Sequence, residues 1–150
     1  MRFFEDLKIG DKFTTTDHEM TLDEITDFGR RYDPQPFHTD PIAAKVSAFG
    51  GLVASGWHTA AVSMRLMVLG EMALDGGVIG QGVEGLRWPR PVWPGDRLHV
   101  LTEVVDLQHA PLRAGHGLLK LRCQTLNQAG KVVQDMTANL LVARRPVSND

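Results

Sequence analysis

The feature that most constrains the fold is a segment near the middle of the chain that is apolar on almost every side. Ser55 is a good helix N-cap, and the residues after it recur at the spacing of one helix face: Trp57, Ala60, Ala61, Met64, Met67 and Val68. The other side is also apolar, with Arg65 the only charge before Glu71. Because a helix of this kind belongs inside a fold, we predict that the rest of the chain wraps around it.

The second half of the chain changes to the two-residue alternation of β-strands. Three strands with one buried face each are predicted, and their inward residues are Leu98, Val100, Thr102 and Val104, then Leu119, Leu121 and Cys123, then Val132, Gln134, Met136, Ala138, Leu140 and Val142. Turn sequences between such runs favour antiparallel pairing. One buried helix followed by this meander predicts an α+β domain whose antiparallel sheet wraps the helix.

Length and composition narrow the class of protein. A chain of 150 residues predicts a single domain over 1–150. The net charge of −2 does not favour nucleic acid or an anionic membrane as a partner. The first residues carry charge too early for a secretory signal, and no apolar run reaches membrane-spanning length, so we expect a cytoplasmic protein. Cys123 is the only cysteine, which excludes an internal disulfide and predicts a buried structural thiol.

An acid and an imidazole lie close together in a proline-rich turn after the first predicted helix. Thr21 and Glu24 have capping-box spacing, and the apolar pattern predicts a helix from there to about Asp33. Two prolines then predict a rigid extended turn as far as His38, because proline fixes its own backbone and restricts the residue before it. A short helix over 42–48 should follow.

Three blocks of the sequence resemble the signature motifs of the MaoC-like dehydratases and R-specific enoyl-CoA hydratases. They are Asp33-x-Gln35-Pro36-x-His38-x-Asp40, Phe49-Gly50-Gly51-Leu52-Val53-Ala54-Ser55-Gly56, and Pro91-Val92-Trp93-Pro94-Gly95-Asp96. The resemblance implies the hot-dog fold and the interconversion of 2-enoyl and (R)-3-hydroxyacyl thioesters. Coenzyme A would be part of the substrate, with no separate cofactor. It also implies a homodimer or a higher homo-oligomer, since a single unit leaves a sheet edge uncovered.

Hydration of an enoyl thioester needs a base, a proton donor and a group that binds the enolate oxygen. Asp33 and His38 can serve as the acid–base pair. The resemblance implies that both hold one water molecule, with Asp33 as the principal base and His38 orienting the water and passing the proton in a syn addition. The backbone N–H of Gly56 is expected to bind the thioester carbonyl, because the first turn of a helix leaves its N–H groups unpaired. Glycine is expected there to let the ligand approach.

The candidates for substrate binding flank these catalytic candidates: Ser55, Trp57, His58, Gln35 and Phe37. Trp57 and His58 are bulkier or more polar than the aliphatic residues of many relatives, which favours a short or functionalised acyl group. Gln35 stands where many hydratases of the family have asparagine. Ala61 lies near the place where some carry a small hydroxyl side chain. We therefore expect a pocket that differs from theirs.

Other interpretations of the same residues stay open at this point. Asp33, His38 and Asp40 form an oxygen–nitrogen set that can bind a metal, but a further ligand is not evident, and we expect no metal. The run Gly80–Gly85 matches a dinucleotide-binding fingerprint, yet the prolines after it forbid the required helix, so these glycines are expected to bend a strand. A hot-dog thioesterase and a non-catalytic acyl-thioester binding module are the alternative functions.

Overall fold

One antiparallel sheet and one long helix dominate the computed structural model, which describes residues 1–148. A 3₁₀ turn, Phe4–Asp6, comes first, and the helices are α1 (Leu22–Tyr32), α2 (Pro36–Thr39), α3 (Pro41–Ala44) and α4 (Gly56–Leu69). The strands are β1 (Lys12–Thr14), β2 (His18–Glu19), β3 (Val78–Arg87), β4 (Arg97–His109), β5 (His116–Leu126) and β6 (Val132–Ala143). No helix within residues 1–148 has the length and apolar character needed to cross a membrane.

The sheet has the order β1-β4-β5-β6-β3, and β2 adds a short pairing at the start of β4. Its buried face packs against α4, which confirms the predicted α+β hot-dog arrangement of a sheet around a helix. The predicted alternation is also confirmed in β4, where Leu98, Val100 and Val104 are fully buried. In β6 the alternation is interrupted because Val133 is the extra residue of a β-bulge and is buried as well.

Helix α4 turns a different face to the sheet from the one predicted. Its buried residues are His58, Thr59, Val62, Ser63, Leu66 and Met67. Trp57 and Val68, which were predicted to be buried, are 60% and 57% exposed in the single chain. The inward face can be partly polar because the Ser63 hydroxyl donates to the Thr59 carbonyl and lies 2.7 Å from the Thr125 hydroxyl on β5.

The region between α1 and α4 confirms one prediction and corrects another. Thr21 caps α1, since its hydroxyl accepts a hydrogen bond from the Glu24 N–H at 3.2 Å. The extended turn predicted from Asp33 to His38 is wrong over its second half, where Pro36–Thr39 form one helical turn. Proline suits the first position of a helix because its fixed backbone angle is already helical.

Strand β3 forms one edge of the sheet and contains the glycine-rich run. Its pairing with β6 shifts register between Gly80 and Gly82 and again between Glu84 and Arg87, and Gly85 adopts a positive φ of 61°. The glycines therefore bend a strand, as predicted, and do not open a nucleotide-binding helix. Within residues 1–148, β3 pairs on one side only.

Candidate active site

Asp33 and His38 face each other where α1 gives way to α2. Asp33 is the C-cap of α1, and its Oδ2 lies 3.3 Å from Nε2 of the buried His38. The other ring nitrogen, Nδ1, lies 2.7 Å from the Val53 carbonyl oxygen. A carbonyl can only accept, so Nδ1 carries a proton and donates it. In the neutral ring Nε2 then presents a lone pair beside the carboxylate, and the two together form a double acceptor.

Two side chains hold the Asp33 carboxylate in place. Ser55 Oγ donates to Oδ2 and Gln35 Nε2 donates to Oδ1, each at 2.7 Å. Burial alone would raise the pKa of Asp33, but these two hydrogen bonds, together with the charge that His38 carries when it is protonated, outweigh burial and lower the pKa below its ordinary value. Asp33 is therefore a carboxylate at neutral pH. The prediction that the Ser55 side chain caps α4 is wrong, because its hydroxyl is used on Asp33.

Gly56 is the first residue of α4, and within residues 1–148 no group accepts a hydrogen bond from its N–H. A β-carbon placed on Gly56 would lie 2.5, 2.6 and 2.9 Å from three atoms of the Trp88 ring, closer than real contacts allow. The expectation that glycine is needed there for ligand approach is thus corrected. The space in front of its α-carbon is filled by Trp88.

His38 and Gly56 line the same cavity, which has a volume of about 360 Å³. Of the predicted substrate-binding residues, Phe37 also lines it. Most of the remaining wall is aromatic or apolar, and Arg90 contributes a charge. The other lining residues are Phe49, Val53, Ala54, Thr59, Trp88, Pro89, Pro91, Val92 and Val133. His38 and Gly56 thus border one concave, largely apolar space, and Asp33 does not line it but lies 3.3 Å from His38 Nε2.

Comparison with known proteins gives the family. A family model described as "MaoC like domain" matches residues 5–116. The chain belongs to the MaoC-like family. Its similarity to solved MaoC-like structures is also high: a MaoC-like dehydratase from Rhodospirillum rubrum is 47% identical, with a TM-score of 0.92 over 98% of this chain and 100% of that one. The resemblance inferred from the three sequence blocks is confirmed, and the family is one of hydratases and dehydratases.

Two further relatives extend the comparison of this MaoC-like protein. It is 31% identical over 140 residues to the uncharacterised protein YdeM of Bacillus subtilis (strain 168), covering 93% of this chain and 98% of YdeM. The R-hydratase PhaJ1 of Pseudomonas aeruginosa is 24% identical, with a TM-score of 0.77 over 99% of this chain and 96% of PhaJ1. At that level of identity the likeness to PhaJ1 shows a shared fold.

Four of the five predicted substrate-binding residues of this MaoC-like protein lie outside the cavity wall. Ser55 and Gln35 hold Asp33, and Trp57 and His58 lie elsewhere, on α4. Trp57 points away from the sheet and meets the Trp88 ring edge-on, with 5.2 Å between centroids. His58 is buried and stacks on Phe28 of α1 at 4.8 Å. Burial lowers the pKa of His58 below its ordinary value, Glu24 opposes this shift and His18 adds to it.

A carboxylate shared by two histidines was not found from the sequence. Glu24 Oε1 lies 2.7 Å from His18 Nε2 and 3.2 Å from His58 Nε2. The capping-box spacing predicts instead that the Glu24 side chain returns to the backbone of Thr21. No local pattern signals the observed partners, because β2, α1 and α4 are brought together only by the tertiary fold.

Asp33, His38 and Asp40, an alternative metal-binding set in the sequence, do not converge on a site within residues 1–148. Within the described residues, no three His, Cys, Asp or Glu side chains converge in a way that could hold a metal ion. Asp40 instead caps α3, where its Oδ1 accepts hydrogen bonds from the N–H groups of Ile42 and Ala43. Asp33 and His38 are left as a pair.

A second cavity of about 380 Å³ lies at the opposite end of α4. Its wall is apolar and includes Met64, Met67 and Cys123, while Asp33, His38 and Gly56 lie elsewhere. Cys123 is buried, as predicted, and burial together with nearby Asp135 raises its pKa to about 12. Of the proposed catalytic residues, His38 and Gly56 line the first cavity and none lines the second.

Proposed function

We propose that this MaoC-like protein interconverts 2-enoyl and (R)-3-hydroxyacyl thioesters by adding and removing water. The observation that carries the proposal is the 3.3 Å approach of His38 Nε2 to Asp33 Oδ2, beside the cavity that His38 and Gly56 both line. A single water molecule can donate one hydrogen to each of the two acceptors. Its oxygen lone pairs then remain available to attack carbon.

In the hydration direction, Asp33 accepts a proton as the water oxygen forms a bond to C3. The C2–C3 double-bond electrons move toward the thioester carbonyl and give an enolate. Asp33 passes this proton to His38 Nε2, and His38 delivers it to C2 on the same face of the substrate. Both side chains thereby return to their starting protonation states, and the product is the (R)-3-hydroxyacyl thioester. Dehydration reverses each step. The lowered pKa keeps Asp33 ionised at neutral pH, so the carboxylate is free of a proton and able to accept one.

The Gly56 N–H is the proposed donor to the enolate oxygen. It lies at the positive end of the α4 dipole, and within residues 1–148 it has no acceptor of its own. A preorganised donor of this type contributes about 2.7–4 kcal/mol to transition-state stabilisation. Ser55 and Gln35 act by fixing Asp33, and Phe37 supplies part of the wall against the acyl thioester.

We further propose that two copies of the chain associate through β3. Among residues 1–148, nothing pairs with the backbone N–H and C=O groups along the outer edge of this strand, and an unpaired edge readily accepts another strand. The apolar stripe of α4 that includes Trp57 and Val68 is also uncovered in the single chain. A second copy related by a two-fold axis can extend the sheet and at the same time cover this stripe of α4. The expected form is a homodimer.

The decisive experiment is a hydration assay with crotonyl-CoA and longer trans-2-enoyl-CoA substrates. The conjugated enoyl absorbance should fall on adding protein, and chiral analysis should give the R product. Asp33→Asn and His38→Ala should each lower kcat by at least about 10²-fold, the size of a general acid–base contribution. Asp27→Asn on the exposed side of α1 is the matched control and should retain activity.

Two other outcomes would overturn this assignment. Release of free coenzyme A thiol from acyl-CoA without hydration would indicate a thioesterase. Saturable binding of acyl thioesters with no turnover across the whole panel would indicate a binding module. Loss of activity in Asp27→Asn as large as in Asp33→Asn would remove the special role of the Asp33–His38 pair.

A further inference from the structure

We propose that Trp88 is a positioning residue, which holds the first turn of α4 so that the Gly56 N–H points at the substrate carbonyl. This inference rests on the proposed function, since it concerns the same amide donor. The signature blocks do not contain Trp88, which lies just after the edge strand β3. Its role follows from what its two ends touch.

The benzene ring of Trp88 lies against the α-carbon of Gly56. Three ring atoms, Cε2, Cδ2 and Cε3, all fall within 2.9 Å of the point where a β-carbon would sit on Gly56. The flat side of the ring therefore replaces the side chain that this residue lacks. A glycine at the start of a helix is otherwise free to move, and a rigid ring packed on it restricts that freedom.

The other end of the indole is held by the sheet. Trp88 Nε1 donates to the amide oxygen of Gln134 on β6 at 2.9 Å, and Gln134 is fully buried. Within the described residues, Gln134 Nε2 has no hydrogen-bond acceptor. Turning the amide over would place two donors face to face, so the tryptophan fixes its orientation. A buried amide N–H without an acceptor lowers the stability of the fold. At Gln134 this loss occurs in the same orientation of the amide that holds the Trp88 indole.

Trp88 thus connects the sheet to the amide donor on one side and lines the His38 cavity on the other. Pro89 follows it directly and stiffens the chain at this point. If the ring is lost, the first turn of α4 can shift relative to His38. A misplacement of about 1 Å between reacting groups can cost about 10²-fold in rate. The effect should appear in kcat more than in KM, because the hydrogen bond from the Gly56 N–H to the substrate oxygen strengthens in the transition state.

The test uses crotonyl-CoA hydration by Trp88→Leu, Trp88→Phe and Gln134→Leu. Trp88→Leu should lower kcat about 10- to 100-fold with KM changed less than about threefold. Trp88→Phe keeps a ring on Gly56 but loses the hydrogen bond to Gln134, so its loss should be smaller. Phe4→Leu is the matched control, because the Phe4 ring also packs on a glycine, Gly117 of β5, and neither residue lines the His38 cavity. Its kcat should stay within about twofold of the unmodified protein.

A double substitution separates positioning from simple access of substrate to Gly56. Gly56→Ala alone should disrupt the site, because its methyl group collides with Trp88. In the Trp88→Leu background the same change should cost little further activity, since the methyl group then has room and the N–H remains. A large further loss in that background would mean that substrate itself needs the space, and would overturn the inference.

The remaining outcomes are distinct from one another. A normal kcat in a folded Trp88→Leu protein overturns the inference while the hydratase assignment stands. If Trp88→Leu does not fold, Trp88→Phe and Gln134→Leu decide, and an unchanged kcat in both overturns it. If the unmodified protein hydrates no enoyl thioester, the proposed function fails and the inference fails with it.

Discussion

The hydroxyl of Ser55 lies 2.7 Å from Oδ2 of Asp33 and donates to it, although Ser55 occupies the N-cap position of α4. Because Ser55 directly precedes Gly56, this hydrogen bond joins the proposed base to the helix turn that carries the proposed amide donor. The base and the donor are thereby set relative to each other by a single residue. Because the Ser55 hydroxyl is bonded to Asp33, it does not accept a hydrogen bond from the first turn of α4.

Ser55→Ala should raise the pKa of Asp33 and move the acid limb of the kcat/KM profile to higher pH. The lowered pKa of Asp33 means that its stabilising contribution is present above its ordinary value of 3.8 and is lost as pH falls through the folded-state pKa. Removing the donor should therefore also cost about 1.5–3 kcal/mol at neutral pH, as for a hydrogen bond to a charged group. A pH profile and denaturant unfolding measure the two effects. Ser148→Ala, at an exposed position after β6, should change neither, and an unmoved acid limb in Ser55→Ala would contradict the prediction.

The stability of the fold should decrease as pH falls below about 6.5, the ordinary pKa of histidine, because His58 is buried in its neutral form. Below this pH, His58 binds a proton in the unfolded chain but stays neutral in the folded protein. Glu24 and His18 are the titratable groups that face His58, and the first opposes this shift while the second reinforces it. His58→Met should flatten the decline in unfolding free energy between pH 7 and 5.

The matched control for that experiment is His109→Gln, since His109 is exposed on β4. It should leave the pH dependence of unfolding unchanged. An equal slope in His58→Met and the unmodified protein would show that another group titrates with folding.

Thr21→Ala should destabilise the protein by about 1 kcal/mol, the usual effect of losing an N-cap hydroxyl. The Thr21 hydroxyl accepts from the Glu24 N–H, and the Glu24 side chain is engaged by two histidines and does not replace it. Urea unfolding monitored by circular dichroism measures the change. Thr16→Ala, an exposed threonine in the preceding loop, should be neutral. Equal destabilisation by both would mean that the cap contributes nothing special.

Val83→Lys should shift the protein from the proposed dimer toward monomer, because it places a charge on the outer strand β3. Val83 is 52% exposed in the single chain. Sedimentation velocity over a range of concentrations measures the change in association. Val46→Lys is the control, since Val46 is 91% exposed and lies in the turn after α3, away from that edge. A monomer at all concentrations before any substitution would refute the dimer.

Local signals predicted much of the fold, because they depend on neighbours in the chain. The cap at Thr21 and the alternation of Leu98 and Val100 in β4 need no distant partner, and both are confirmed. The buried face of α4 could not be predicted in this way. Ser63 points inward because Thr125, far along the chain, satisfies its hydroxyl.

The candidate site shows the same division. The sequence blocks identified Asp33, His38 and Gly56, and a family resemblance carried that step. The fold places His38 and Gly56 in the wall of one cavity, with Asp33 next to His38. The Trp88 ring over Gly56 and the Glu24–His58 contact connect elements that are remote in sequence. Neither leaves a periodic or motif signal, so both required coordinates.

The single thiol of Cys123 makes the protein its own probe of transient opening. Only the thiolate reacts with alkylating reagents, and a buried sulfur with a pKa of about 12 stays protonated and shielded until the wall of the second cavity opens. The rate of its alkylation under native conditions therefore reports how often the structure around Cys123 opens. No introduced label is needed, since every modified molecule reports the same interior position.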